Sequence, residues 1–296
     1  MIGDGAVITV LGDVARDINL RIDGRIPEDL VVAGDTPARI QMVTGGSAAT
    51  TAAWIACTGV PVALIAARGD DDAGQAVERD LRRWGVLPEL QTIPGASTGT
   101  VVVIVDGSGE RTMLPDAGAN VGLESAWCRD HLRGSHLHIS AYPWFRSETR
   151  SCIDAVVAEA RTRSMTLSVD LNSYGLVRTY SHELASLAES VDIVFANELE
   201  FAALTDGPFR PSATAGPIVV VKLGSRGSRW MHGTSEGQVD ASPTTAVDTG
   251  GAGDSFAAGF LAHWVTTGDI EGAAVAGNLL AGQCVTRVGS GPTLGD

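Results

Sequence analysis

The sequence has few cysteines, few basic residues and no long apolar run. Its four cysteines show no C-x-x-C spacing, so we expect reduced, mostly buried thiols of a cytoplasmic protein and no disulfide framework. Basic side chains number 21 against 35 acidic ones, and the net charge of −14 argues against nucleic acid and acidic membrane surfaces as partners. The longest apolar runs, such as residues 101–105, have the length of a strand, which predicts that no segment spans a membrane.

Two further absences narrow the class of protein. No basic segment follows Met1, so we expect no signal peptide. No G-x-x-x-x-G-K-[ST] sequence is present, which argues against a P-loop enzyme.

The chain is long enough to form one large globular domain. Its 296 residues, of which 44% are hydrophobic and 19% charged, can bury a sizeable core. From about residue 137 onward, strand-like apolar segments alternate with helical ones, which is typical of parallel strands with helices on both faces. We therefore predict an α/β fold with a central, mostly parallel, doubly wound sheet in a single domain over residues 1–296.

One glycine-rich segment near the C-terminus carries the strongest functional signal. Residues 248–260 read DTGGAGDSFAAGF, and the apolar spacing that follows predicts a helix beginning near Asp254. Small residues just before a helix leave backbone N–H groups free to bind an anion such as phosphate. A carboxylate would repel that anion unless it had another task, so we interpret Asp254 as a general base. The alternative is a tight turn in which Asp254 only caps the helix.

This segment resembles the D-T-x-G-A-G-D signature of the ribokinase-like (PfkB) carbohydrate kinases, and the resemblance extends over residues 7–293. In that family the last Asp of the signature is the catalytic base. The resemblance implies that Asp254 takes the proton and that Gly251, Ala252 and Gly253 hold the charge of the moving phosphoryl group. It also implies ATP and Mg²⁺ as cofactors.

Two N-terminal segments resemble the sugar-binding parts of the family. An Asp at the position of Asp17 binds sugar hydroxyls there, and a carboxylate can accept two hydroxyl protons. Residues 45–52 resemble a G-G-x-x-x-N-x-A signature, but Thr50 replaces its Asn, so one substrate contact is different or absent. The substrate-binding residues that the resemblance implies are Asp17, Gly45, Gly46, Ser47, Thr50 and Asp254.

A small β-sheet is predicted outside the main sheet. Residues 106–109 read DGSG between two β-rich runs, which indicates a hairpin. Further strand-like segments would join it, so we expect inserted strands at about 14–44 and 97–118. In the family such a sheet is a lid over the sugar and often a dimer surface, which implies a homodimer formed through the lid.

Other segments resemble the nucleotide side of the family. Asn197 and Glu200 fit its N-x-x-E motif, whose Glu orders Mg²⁺ through water, although the same pattern is also an ordinary helix start. Residues 222–227 resemble the nucleotide loop, in which either Lys222 or Arg226 reaches phosphate. The ATP-binding residues implied are Asn197, Lys222, Gly224, Arg226, Gly251, Gly253 and Asn278.

Residues 285–289 read VTRVG and resemble a segment near which family members often hold K⁺. By position, the implied K⁺ ligands are Asp248, Gly250, Cys284, Gly289 and Thr293. A hard cation beside the anion loop would fix the geometry of that loop.

The substrate side departs from the pattern of the ribose-specific members. Ala15 and Thr50 stand where those kinases present Asn, and residues 140–144 contain no acid. Tyr174 stands where kinases of fructose or 2-keto-3-deoxygluconate often carry an Arg. We hypothesise that neither ribose nor 2-keto-3-deoxygluconate is the preferred substrate, because an unpaired hydroxyl is costly to bind. An aromatic wall suited to a sugar face or a base would take the place of the lost contacts, formed by Tyr142, Trp144 and Tyr174.

The function predicted is ATP-dependent phosphorylation of a hydroxyl on a small sugar or sugar-like substrate. Two alternatives stay open. A nucleoside kinase of the same family would differ in its contacts on the sugar side. A non-catalytic ligand-binding protein on this fold is the other, and the intact loop before Asp254 argues against it.

Overall fold

The computed structural model describes residues 7–26, 28–29, 31, 33–108, 111–212, 214 and 216–293. The first residues, for which no signal peptide was expected, and Gly109 of the predicted hairpin turn lie outside this part of the chain. The strands in it are β1 (Ile8–Leu11), β2 (Ala15–Arg21), β3 (Arg39–Gly45), β4 (Val62–Gly69), β5 (Leu87–Ile93), β6 (Thr100–Val105), β7 (Arg111–Asp116), β8 (His136–Ser140), β9 (Thr166–Asp170), β10 (Ile193–Asn197), β11 (Ile218–Lys222), β12 (Ser228–His232) and β13 (Ser235–Val239). The α-helices are α1 (Ser47–Cys57), α2 (Asp72–Arg83), α3 (Ser125–His131), α4 (Ser147–Thr162), α5 (Tyr174–Glu189), α6 (Glu198–Asp206), α7 (Ala252–Thr267) and α8 (Ile270–Cys284).

The larger sheet has nine strands in the order β13-β12-β11-β10-β9-β8-β1-β4-β5. Every neighbouring pair from β11 to β5 is parallel, and only β12 and β13 add antiparallel pairs at one edge. The central strands are buried along their whole length, as expected where both faces of a parallel sheet are covered. The predicted fold class is therefore confirmed.

Two hydrophobic clusters cover the two faces of this sheet. Alternate residues of one strand enter different clusters: Phe195 of β10 packs with Phe256 and Phe260 of α7, whereas Val194 packs on the opposite side. The first cluster also takes residues from α1, α2 and α8, and the second takes residues from α3 to α6. This two-sided burial fixes the sheet, and the polar ends of its strands are left at one edge.

The smaller sheet, which we call the lid, has the order β3-β2-β6-β7. Strand β2 pairs antiparallel with β3 and parallel with β6, and β6 pairs antiparallel with β7. All four strands fall in the segments predicted for an inserted sheet.

Several elements differ from the expectations. Helix α7 begins at Ala252, two residues before Asp254, because the left-handed Gly251 already turns the chain into the helix. Helix α5 begins at Tyr174 and has a break at Tyr180. The edge strands β5, β12 and β13 were not predicted, because they carry polar or proline residues that interrupt the apolar pattern. Within the described residues, every helix is too short or too polar to cross a membrane.

Candidate active site

The loop before α7 is shaped to leave backbone amides unoccupied. Gly251 has a φ of 75°, and a Cβ there would lie 2.8 Å from Ser290, so only glycine fits without strain. Asp248 holds the loop by accepting hydrogen bonds from the amides of Gly250 at 2.7 Å and Gly289 at 3.0 Å. Among the described residues the amides of Gly251 and Gly253 find no hydrogen-bond acceptor, whereas the amide of Ala252, which was predicted to act with them, donates to the carbonyl of Thr249 at 3.3 Å. With the positive end of the α7 dipole, they form a site for an anion.

Asp254 lies in the first turn of α7, at the junction of two cavities. The loop cavity, of about 740 Å³, runs between this turn, the Gly224–Gly227 segment and α8. The lid cavity, of about 550 Å³, lies between the lid and the main sheet. Four residues line both cavities: Ser47, Tyr142, Gly251 and Asp254. A group held in one cavity can therefore meet a group held in the other beside Asp254.

The carboxyl group of Asp254 is tuned by its surroundings. Burial raises the pKa of Asp254 to about 8, and the neighbouring carboxylate of Asp170 adds to the rise. A hydrogen bond of 2.5 Å from the Ser47 hydroxyl and the positive charge of Lys222 act in the opposite direction. A carboxylate of this basicity suits a general base near neutral pH.

A chain of polar side chains positions Ser47. The Asn172 side-chain amide donates to the Ser47 hydroxyl at 2.8 Å and accepts from the amide of Ala141 at 2.9 Å. Its carbonyl oxygen also receives the Ser140 hydroxyl at 3.0 Å. Asn172 has a φ of 61°, a strained conformation that points to a functional constraint. Asp13 accepts from the amide of Ser47 at 3.2 Å and so fixes the start of α1.

Sequence reasoning assigned no role in the site to Asp13, Ser140, Asp170 or Asn172. Their common signal was available: each stands at or just after the carboxyl end of β1, β8 or β9. In a parallel sheet these ends meet at one edge, where ligands bind.

The structure distinguishes between Lys222 and Arg226, the two candidate side chains for phosphate binding. Lys222 is the only lysine of the chain, and its ammonium group bonds both oxygens of buried Asp170 at 2.9 and 2.7 Å. A Cβ on Gly253 would lie 3.1 Å from this ammonium group, so Lys222 stands directly beside the anion loop. Arg226 instead pairs with Glu198 on the surface and does not line the loop cavity.

Asn197 and Glu200 form a capping box at the start of α6. The Asn197 amide donates to Glu200 at 2.8 Å, and the Glu200 amide donates to Asn197 at 2.9 Å. The interpretation of this segment as a helix start is therefore correct. The capping box engages only one carboxylate oxygen of Glu200, and both residues line the loop cavity. Burial raises the pKa of Glu200, and Lys222 opposes that rise.

Gly224 and Asn278 line the far part of the loop cavity. Gly224 has a φ of 62°, and the open space beside it would admit a ligand close to the backbone. The Asn278 side-chain amide donates to the carbonyl of Val239 at 3.0 Å, which fixes the orientation of its own carbonyl oxygen.

Four of the five predicted K⁺ ligands come together. The Cys284 thiol donates to the carbonyl of Gly250 at 3.4 Å, and Asp248 bonds Gly250 and Gly289 as described above. Thr293 is exposed and contacts Arg287. The positively charged side chain of Arg111 of β7 already lies at this point, where it forms an ion pair with Asp248.

Asp17 of β2 faces the lid cavity with an unsatisfied carboxylate. Its Oδ1 atom is buried without a hydrogen-bond partner among the described residues, and burial together with Asp13 raises the pKa of Asp17 to about 7. A Cβ on Gly45 would lie between 2.1 and 2.3 Å from this carboxyl group, so Gly45 makes room for Asp17. Gly46 has a φ of 95° and, like Thr50, lines the same cavity.

The predicted aromatic wall is wrong for two of its three residues. Tyr142 lines both cavities, but Trp144 and Tyr174 line neither. Trp144 is buried and its indole donates to Asp154 at 3.1 Å, because the turn after β8 directs the ring into the core. Tyr174 lies at the start of α5, where Arg178 packs on its ring.

Comparison with known proteins agrees with this geometry. The family model described as pfkB family carbohydrate kinase matches residues 7–294. The chain is 36% identical over 290 residues to an ATP-dependent ribose-1-phosphate kinase of Halopiger xanaduensis, covering 95% of this chain and 93% of the relative.

Solved structures share the fold. Adenosine kinase of Sinorhizobium meliloti superposes with a TM-score of 0.83 at 26% identity, over 98% of this chain and 96% of that one. An E. coli protein provisionally named ribokinase II, solved with ATP and Mg²⁺, gives a TM-score of 0.81 over 97% of this chain and 94% of that one. At 21% identity, the second likeness is evidence for the fold alone.

Proposed function

The chain belongs to the pfkB family of carbohydrate kinases, and from this premise we propose how its residues transfer a phosphoryl group. It is an ATP-dependent kinase of a hydroxyl on a sugar or nucleoside. The single observation that carries the proposal is the position of Asp254, which lies where the loop cavity and the lid cavity meet. We place ATP in the loop cavity and the acceptor in the lid cavity.

In the proposed reaction Asp254 accepts the proton of the acceptor hydroxyl. That oxygen then bonds the γ-phosphorus of ATP as the bond between this phosphorus and the β–γ bridging oxygen breaks, and ADP leaves. Ser47 and Asn172 orient Asp254 through the hydrogen bonds described above. In-line phosphoryl transfer needs mainly such positioning and charge stabilisation.

The charge of the transferred group is held by the loop and by Lys222. The free amides of Gly251 and Gly253 face the point where that charge develops. Lys222 adds a positive charge beside the same loop, and Asp170 holds its ammonium group in place. Arg226 is committed to Glu198 on the surface, so we assign phosphate binding to Lys222.

The residues present fit Mg²⁺ bound mainly through water and ATP. One oxygen of Glu200 accepts from Asn197, and the described residues hold no group of three acidic, histidine or cysteine side chains that could ligate a metal by themselves. Mg²⁺ keeps several waters and uses few carboxylates beside nucleotide phosphates. When bound, it would neutralise charge on the phosphates. Arg111 already neutralises Asp248, which argues against K⁺ binding at this carboxylate.

We favour a sugar derivative over a nucleoside as the acceptor. Among the described lining residues Tyr142 is the one aromatic side chain that faces the lid cavity, whereas a nucleobase is usually held by stacking. Polar side chains of the lid strands, among them Asp17, Asn19 and Gln41, line the same cavity and can bind sugar hydroxyls. The relative from Halopiger xanaduensis acts, by its name, on ribose 1-phosphate, which makes this the first acceptor to test.

Three broader proposals concern the whole protein. We propose one domain with the lid inserted into it. The lid leaves Met42 and Leu114 60% and 55% exposed, which supports a homodimer through its outer face. The four cysteines are free, which supports a cytoplasmic location.

An acceptor panel tests the proposed function. ADP release would be measured with ATP and Mg²⁺ over ribose, ribose 1-phosphate, hexoses, 2-keto-3-deoxygluconate and nucleosides. We expect acceptor-dependent ADP release with at least one sugar derivative and weaker release with nucleosides. Release no faster with any acceptor than without one would contradict the proposal.

A further inference from the structure

We propose that the acceptor carries a phosphate group, which the guanidinium groups of Arg21, Arg39 and Arg146 bind in the lid cavity. The inference rests on the proposed kinase function and deepens it, because it names the class of acceptor and the residues that select it. All three arginines line the cavity that also holds Asp17 and Asp254.

Two of the arginines are direct neighbours on the lid. Strands β2 and β3 are antiparallel, and Arg21 pairs with Arg39 in their register. Residues that pair across strands lie on the same face of a sheet. Arg21 also shares its face with Asp17, four residues earlier on β2. The side chains of this pair therefore project from the face of the lid that carries Asp17.

This pairing is unfavourable without a ligand. Like charges directly opposite each other on neighbouring strands destabilise a sheet. Within the described part of the chain, neither guanidinium group forms an ion pair or donates a hydrogen bond. A dianionic group between them would remove the repulsion and satisfy their donors in the planar geometry that arginine offers to phosphate.

Arg146 approaches the same cavity from the main domain. It precedes α4 and is half-buried, and its side chain has no ion pair or hydrogen bond within the described residues. Hydrogen bonds that the exposed Glu148 carboxylate accepts from its own backbone and from Ser147 lower the pKa of Glu148, and the charge of Arg146 contributes after them, but the side chains of Arg146 and Glu148 form no ion pair. The cavity is thus bordered by unpaired positive charge on two sides, in a protein whose net charge is −14.

The carboxylates of the cavity do not neutralise these arginines. Asp13 accepts from the amides of Ser47 and Ala48, and Asp116 accepts from the amide of Gly118 at 3.0 Å. Asp248 pairs with Arg111, and Asp254 accepts from Ser47. Asp17 has no hydrogen-bond partner for its buried oxygen, which suits a sugar hydroxyl. The described residues of the lid cavity therefore provide carboxylate oxygens that can accept hydrogen bonds from sugar hydroxyls near Asp254. Its arginines provide N–H groups that can bind an anion farther from Asp254.

The proposed hydroxyl-binding residue, Asp17, and the proposed phosphate-binding residue, Arg21, lie at different positions along β2. Arg21 lies four positions after Asp17, which corresponds to about 13 Å between their Cα atoms at roughly 3.3 Å per residue. A small sugar held by Asp17 and Asp254 would present its reacting hydroxyl to the α7 loop. A phosphate on its opposite side would lie within reach of the long arginine side chains.

The test compares binding of ribose 1-phosphate and ribose to the full-length protein by calorimetry. The variants are Arg21→Gln, Arg39→Gln and Arg146→Gln. Arg25→Gln is the matched control, because exposed Arg25 precedes the lid strand β3 but does not line the cavity. We expect wild-type protein to bind ribose 1-phosphate at least about tenfold more tightly than ribose, since charge-assisted hydrogen bonds distinguish the two.

Each of the three substitutions should weaken ribose 1-phosphate binding by about three- to tenfold, with ribose and ATP affinities unchanged. The control should bind both sugars as the wild type does. Arg39→Gln should melt at the same temperature as the wild type or higher, because it removes a like-charge pair. If a variant fails to fold, the comparison of ribose 1-phosphate with ribose in the wild type still tests whether the protein binds the phosphate group of the acceptor.

Equal affinity of the wild type for both sugars would overturn the inference, as would an equal loss of affinity in Arg25→Gln. The proposed kinase function would survive that result if neutral sugars support ADP release. The opposite combination, tight arginine-dependent binding of ribose 1-phosphate without ADP release from any acceptor, would support the anion site and contradict the kinase function.

Discussion

The hydrogen bond from Ser47 to Asp254 makes a quantitative prediction about pH. Burial raises the pKa of Asp254 to about 8, and Ser47 opposes the rise by stabilising the charged form. Asp254 must be deprotonated to accept a proton, so kcat/KM should increase with pH and level off above about 8. At pH 7 about a tenth of the enzyme would carry the active form.

Replacing Ser47 with Ala should raise the pKa of Asp254 further. A hydrogen bond to a charged group contributes about 1.5–3 kcal/mol, and one pKa unit corresponds to about 1.4 kcal/mol. The rising part of the profile should therefore move upward by about one to two pH units. At pH 7 the variant should be at least about tenfold slower than the wild type, and the deficit should shrink as the pH rises toward 10.

The assay is the acceptor-dependent release of ADP, measured as kcat/KM for the acceptor from pH 6 to 10 in buffers of constant ionic strength. Ser186→Ala, an exposed change on α5, is the control and should follow the wild-type profile. A merely structural role for Ser47 would lower the rate equally at every pH. A profile that stays in place or moves to lower pH would refute the assignment of the hydrogen bond.

Two further substitutions test the cation side of the site. Glu200→Gln keeps the capping box but loses the charge, so it should raise the Mg²⁺ concentration for half-maximal rate with little change in melting temperature. The exposed change Glu198→Gln is its control, and an unchanged Mg²⁺ titration of Glu200→Gln would leave Glu200 as a capping residue only. Lys222→Met should raise the KM for ATP and destabilise the protein by about 3–5 kcal/mol, because it leaves Asp170 buried and unpaired. Adding Asp170→Asn should recover much of the stability but not the ATP affinity, and equal stability of the single and double variants in urea denaturation would contradict the pairing.

Much of the fold could be predicted because its signals are local. Apolar runs such as β8 and β11 lie between helical segments, and this alternation defines a parallel sheet. The glycines and Asp254 of the α7 loop also form one continuous segment, so the proposed anion site and the proposed base could be inferred together from the sequence. The strands β12 and β13 escaped prediction because exposed edge strands carry polar residues that hide the period of two.

The parts of the site that could not be predicted depend on residues distant in sequence. Ser47 and Asn172 are 125 positions apart, and no local pattern joins them. The choice between Lys222 and Arg226 needed the positions of Asp170 and Glu198. The predicted direction of the Trp144 side chain was wrong, because the turn after β8 and not the type of residue decides which way the side chain points.

The central claim is that Asp254 is the base, and Asp254→Asn tests it most directly. The account predicts that turnover falls by about a hundredfold or more, while the dissociation constant for ATP stays the same or decreases because a negative charge leaves the anion site. Since the folded state raises the pKa of Asp254, ionisation of this group costs stability increasingly from about pH 4 to about pH 8. The variant should therefore melt no lower than the wild type at pH 9. Turnover comparable to that of the wild type in a folded Asp254→Asn variant would contradict the account.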